Sequence, residues 1–164
     1  METSLNALLD EKRMPPEAAA QYSPLVLAYL GDAVYELVIR TLVVSGGNAP
    51  VNKLHKRSAD LVKASAQAEL LHYLEEELTE AERSVYRRGR NAKSYTMAKH
   101  ATMKDYRAAT GFEALMGYLY LSGQTERLLS LIRLGISRME GGAGKKEAAG
   151  REKETKESIQ GETE

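Results

Sequence analysis

Two stretches of this chain place carboxylates where apolar residues predominate. In "LAYLGDAVYELVIR", residues 27–40, Asp32 and Glu36 lie one helical turn apart among Leu, Val, Ala and Tyr. In "TGFEALMGYLY", residues 110–120, Glu113 is the only charge. A carboxylate in such surroundings is costly unless something compensates it. On a helical wheel Asp32, Glu36 and Arg40 form one narrow polar stripe, and Val26, Leu30, Val34, Leu37 and Val38 form a broad apolar face opposite. Glu36 and Arg40 have the spacing and order of a stabilising acid–base pair. Asp32 has no such local partner. Its neighbour Gly31 costs about 1 kcal/mol relative to Ala inside a helix, which implies a close approach to the backbone there. Glu113 has small neighbours on its wheel, Thr110 and Gly117. A hydrogen bond to a Tyr or to a backbone group would also satisfy Glu113. If Asp32 and Glu113 meet, they repel unless a cation lies between them. Mg²⁺ takes oxygen ligands and keeps several waters. Such an ion polarises phosphate oxygens and activates water, so the chemistry implied is metal-assisted phosphodiester hydrolysis.

The charge distribution points to the same substrate class. The chain of 164 residues has 23 basic and 23 acidic residues, a net charge of zero that would ordinarily argue against nucleic acid. Between Arg83 and Arg107, however, eight basic residues face Asp105 alone, a local charge of +7. Arg87, Arg88, Arg90, Asn91, Lys93 and Ser94 in "RRGRNAKS" offer phosphate and ribose contacts. Such contacts position a nucleic acid without reading its sequence. There is no Cys, which excludes disulfides, zinc–thiolate sites and a cysteine nucleophile. The longest apolar stretch, residues 24–44, is broken by Asp32, Glu36 and Arg40 and does not read as a membrane span.

The elements that must position these groups read as helices throughout. Residues 1–22 are a weakly patterned lead-in. Ser23-Pro24 marks a helix start, and the helix stops at Gly46-Gly47. A second helix starts near Asn52 and runs through "SAQAELLHYLEEEL". Thr79 and Glu82 have capping-box spacing and open a third. After Gly89 the basic stretch reads as an irregular connection. Helices then cover about 104–121 and 125–139. No alternating strand or internal repeat is present, so the expectation is an all-α domain over residues 23–140. Residues 141–164 have Ile159 as the one apolar residue larger than Ala, and a disordered charged tail is expected.

"LAYLGDAVYEL" resembles the signature helix of the ribonuclease III family, and "FEALMGYLYL" resembles its second acidic motif, in the same order and about 80 residues apart. The short chain with "RRGRNAKS" between the motifs is similar to the Mini-ribonuclease III branch. The resemblance spans about residues 22–135. It implies an all-helical bundle forming a homodimer, and cleavage of double-stranded RNA with Mg²⁺, Mn²⁺ substituting, to leave 5′-phosphates. For the branch it implies maturation of the large-subunit ribosomal RNA precursor in the bacterial cytoplasm, association with a ribosomal protein or the ribosome, and no membrane partner. Residue by residue it makes Asp32 and Glu113 the catalytic, metal-holding pair. Glu36 and Thr110 are supporting candidates. Two acids of full-length family members do not carry over: Ala28 and Thr110 occupy their positions. Those absences favour a competing reading, a catalytically inactive scaffold that binds RNA or the ribosome. Retention of both Asp32 and Glu113 argues against it.

Overall fold

The structure, a computed structural model, describes residues 5–93 and 102–160, with side chains through Lys145. Eight α-helices follow one another in the described residues, with no strand among them. They are α1 (Leu5–Glu11), α2 (Pro16–Ala19), α3 (Pro24–Ser45), α4 (Val51–Val62), α5 (Ala64–Leu74), α6 (Glu80–Asn91), α7 (Met103–Leu121) and α8 (Thr125–Gln160). A single 3₁₀ turn, Glu75–Glu77, joins α5 to the approach of α6. None of these helices is long and apolar enough to cross a membrane.

Helix α7 is the axis of the bundle. Of the eleven residues from Ala109 to Leu119, all but Glu113 are buried. A helix apolar on all sides must be surrounded, and α3, α5 and α6 pack around it. Two of these crossings are made by glycines. A Cβ at Gly31 of α3 would overlap the carbonyl oxygen of Glu113, and one at Gly117 of α7 would overlap that of Leu27. A Cβ at Gly89 of α6 would press on Ala114 Cβ at 2.8 Å and Gly111 Cα at 2.9 Å. Backbone therefore lies on backbone where α3 and α6 cross α7. The Tyr35 ring then stands edge-on to Phe112 at 5.0 Å, both fully buried.

The buried side of α3 is the line Leu27, Ala28, Gly31, Tyr35 and Ile39. This corrects the apolar face expected from the wheel. Val26 is 50 % and Leu37 68 % exposed, and Tyr29 between them is 83 % exposed. The helix is apolar on nearly every side, so hydrophobicity alone does not choose the inner face. The glycine does, because only there can a second backbone come close.

Other boundaries differ from the sequence expectation for identifiable reasons. The lead-in forms α1 and α2. Ser23 occupies the N-cap position of α3 without a side-chain cap, and Pro24 opens the helix. The expected second helix is two: Lys63 turns extended, ending α4 and starting α5. No Pro or Gly marks this break. Instead, the Tyr35 hydroxyl donates to the Leu61 carbonyl at 2.8 Å and Gln67 Nε2 to that of Val62 at 2.9 Å, replacing helical bonds by tertiary ones. Helix α8 does not stop near Met139 but continues to Gln160, through the stretch expected as a disordered tail. Its Glu, Lys, Arg and Ala are good helix formers, and Gly142 lets α8 pass against the Tyr73 hydroxyl.

The capping box is present as expected. Thr79 Oγ1 accepts from the Glu82 N–H, and the Glu82 carboxylate accepts from that of Thr79. Glu82 is 3 % exposed and has a second partner that its sequence position does not reveal. Arg127 of α8 donates to both its oxygens, at 2.8 and 3.1 Å, and to the Glu77 carbonyl at 2.6 Å.

Two stability outcomes follow. Gly31→Ala should destabilise the chain by about 3 kcal/mol, although Ala is the better helix former by about 1 kcal/mol. Urea unfolding decides the sign, and a stabilised variant would contradict the backbone crossing. Arg127→Met should cost about 2 kcal/mol by leaving Glu82 buried without its cation, with the half-exposed Arg keeping the loss below that of a fully buried pair; an unchanged urea midpoint would show the pair to be inert.

Candidate active site

The Gly31–Gly117 crossing decides where the two acids go. Asp32 follows Gly31 directly, and Glu113 stands one turn before Gly117, so joining the glycines joins the carboxylates. Asp32 is exposed, at the edge of the buried line of α3. Glu113 is deeper and only partly accessible. The expectation of two buried carboxylates is thus half right: the pair sits at the mouth of the crossing, Glu113 as its floor and Asp32 as its rim.

Their electrostatics agree with this placement. Burial pushes the Glu113 carboxyl up to about 7 from an ordinary 4.5. The hydrogen bond from Gln67 opposes the rise, and the neighbouring negative charge of Asp32 adds to it. Gln67 Nε2 reaches Glu113 Oε1 at 3.1 Å. Gln67 was not among the expected site residues. Its signal in the sequence is faint, a lone amide in the Ala-rich run "SAQAELL".

A hard divalent cation fits this donor set. Glu113 is desolvated and feels the charge of Asp32, and a cation between the two carboxylates would relieve both effects. Among the described residues no group of three or more acidic or His side chains converges, and Asp32 and Glu113 are the two that could hold such an ion at this crossing. Neither supporting candidate adds to them. Thr110 is buried and its Oγ1 donates back to the Tyr106 carbonyl at 3.0 Å. Glu36 accepts from Arg40 Nε and Nη2, each at 2.8 Å, which is the pair expected from their spacing. Ala28 is buried one turn before Asp32 and contributes no ligand.

The basic residues divide into two groups. Arg88 donates to the Ala20 carbonyl at 2.6 Å and to that of Tyr22 at 3.0 Å, tying α6 to the connection before α3. Its guanidinium is thereby a structural staple. Arg90 and Asn91 share a shallow cavity with Lys104 and Arg107 from the start of α7. Arg90 also lies over the Tyr86 ring, 5.5 Å from its centre, and shares a neighbouring cavity with Arg87. Lys93 is exposed at the end of this segment. Ser94 lies outside the described residues.

The chain is similar in sequence and fold to known proteins. The Ribonuclease III domain family matches residues 25–124, which include both acidic motifs. The chain is similar to the Mini-ribonuclease 3 of Thermoanaerobacter sp. (strain X514), 48 % identical over 141 residues, covering 85 % of this chain and 99 % of that one. It is 51 % identical over 118 residues to the Mini-ribonuclease 3 of Clostridium tetani, covering 71 % and 78 %. A solved protein structure from Fusobacterium nucleatum superposes with a TM-score of 0.67 at 31 % identity, over 71 % of this chain and 95 % of that one. The chain therefore belongs to the ribonuclease III family, in its Mini-ribonuclease III branch, and is an endoribonuclease.

Proposed function

We propose that this endoribonuclease cleaves double-stranded RNA with Mg²⁺, Mn²⁺ substituting, and that Asp32 and Glu113 are its catalytic carboxylates and metal ligands. The observation that carries the reading is the glycine crossing that brings these two acids near each other, with no third among the described residues. A divalent ion held there supplies charge neutralisation at a phosphate and activation of water. Asp32, on the rim, is open to a duplex laid across the site. Glu113, deeper and hydrogen-bonded, is held still, as a group defining geometry must be.

Arg87, Arg90, Asn91 and Lys93, with Lys104 and Arg107, would hold the phosphates on either side. Duplex RNA is recognised by its shape, phosphates and 2′-hydroxyls, which a surface of this kind suits. The substrate we propose is the large-subunit ribosomal RNA precursor in the bacterial cytoplasm, with ribosomal protein or ribosome association as a further partner. The Mini-ribonuclease 3 relatives support the endoribonuclease activity on which that reading builds. We propose a homodimer through the outer face of α3. Val26, Tyr29 and Leu37 there recur at helical spacing and are open, and an exposed apolar stripe of this kind marks a protein interface. Asp32 borders that stripe, so two copies joined there would present two sites to one duplex. The scaffold reading keeps one favourable observation, that Ala28 and Thr110 supply no ligand.

Cleavage of a long RNA duplex with Mg²⁺ separates the two readings. The parent should cut, and Asp32→Asn and Glu113→Gln should each lower kcat by about 100-fold or more while binding the duplex within about threefold. A parent that binds without cutting would make the protein a scaffold.

The raised Glu113 carboxyl also has a stability consequence in metal-free protein. Glu113 holds its proton more tightly folded than unfolded, so between about pH 4.5 and 7 the folded chain binds the more protons. Its contribution therefore falls as pH rises through that window, by at most about 1.4 kcal/mol per pH unit. Urea unfolding with chelator present should show a decline in the parent that Glu113→Gln lacks; parallel pH profiles would place Glu113 in water.

A further inference from the structure

Gln67 lies on α5, outside both acidic motifs, yet it is 2 % exposed and touches the site. Its amide nitrogen carries two N–H groups, and both have fixed acceptors: the Val62 carbonyl at 2.9 Å and Glu113 Oε1 at 3.1 Å. The Val62 carbonyl can accept because the helix is interrupted at Lys63. A backbone break thus holds the amide, and the amide holds one oxygen of the carboxylate. Gln67 Oε1 is buried with no hydrogen-bond partner among the described residues. A buried acceptor left open is unfavourable, so the orientation of this amide is dictated by its two donor bonds. Turned over, its oxygen would face a carbonyl and a carboxylate, both acceptors.

We infer that Gln67 is a positioning residue for the acidic site: it commits one oxygen of Glu113 to the amide and leaves the other for a divalent cation shared with Asp32. This rests on the metallonuclease reading above. A purely structural amide would affect folding alone. A hydrogen-bonding partner of a metal ligand also changes metal affinity, commonly by 10- to 100-fold.

The test compares the full chain with Gln67→Met, which keeps length and removes the donors. Calorimetric titration with MgCl₂, without RNA, should show affinity lowered about tenfold. On a long RNA duplex, kcat should fall, KM for RNA should stay within about twofold, and added Mg²⁺ should restore part of the rate. Equal Mg²⁺ affinity in parent and variant overturns the inference, whatever the cleavage result. A parent that binds no Mg²⁺ overturns it together with the metallonuclease reading. A parent that cuts no RNA while Gln67→Met weakens Mg²⁺ binding sinks the nuclease reading and keeps this one. Should Gln67→Met fail to fold, NMR of the parent decides. The side-chain NH₂ signals of Gln67 should shift on adding MgCl₂, and signals insensitive to it overturn the inference.

Discussion

The contact on which the rest depends is the crossing of α3 and α7 at Gly31 and Gly117, where each glycine lies against backbone of the other helix. Any side chain at either position would separate the helices by the bulk of a methyl group or more. Separation would loosen the Tyr35–Phe112 contact behind the crossing and move Asp32 away from Glu113 in front of it. One packing constraint thus controls the core on one side and the acidic pair on the other. Glycine is unfavourable in a helix interior, and here the close approach is what offsets it.

A second constraint acts from α4 and α5. The chain breaks its helix at Lys63 without Pro or Gly, so the break is stabilised by tertiary contacts. Tyr35, from the same α3 that carries Asp32, takes the Leu61 carbonyl. Gln67 takes that of Val62 and passes its second N–H to Glu113. Of the side chains that make the break tolerable, Gln67 is thus bonded to the acidic site and Tyr35 shares its helix with Asp32. A disturbance of the α4–α5 junction would reach Glu113 through Gln67.

These two constraints explain what sequence reasoning could and could not read. The helix caps are local, and Thr79 with Glu82 behaved as their spacing implied. The all-α class and the α7 span followed from long apolar runs, which need no tertiary knowledge. The pairing of Asp32 with Glu113 was suggested by small residues beside each acid, a local trace of a long-range contact. The inner face of α3 was not readable, because a helix apolar all round offers no contrast for the wheel to use. The break at Lys63 was not readable either, since one of its supports is Tyr35, 26 residues from the Leu61 carbonyl it binds. Arg88 looked like its neighbours in "RRGRNAKS", and only the fold shows its guanidinium held by the carbonyls of Ala20 and Tyr22.

The same geometry explains how a chain of zero net charge can offer a surface to a polyanion. Charges act over roughly 8–10 Å at physiological ionic strength, so the local field matters and the total does not. Acids such as Glu77 and Glu82 are paired with Arg138 and Arg127 of α8, and this neutralises them where they stand. The basic side chains of Arg90, Lys104 and Arg107 meet around one cavity from two different helices. Near the α3–α7 crossing the exposed acid is Asp32, with Glu113 beneath it, and their charge would repel a phosphate unless a cation is present. On the reading proposed above, an RNA strand held by the basic surface would meet this charge at the place proposed for the metal, so docking and metal loading would be linked.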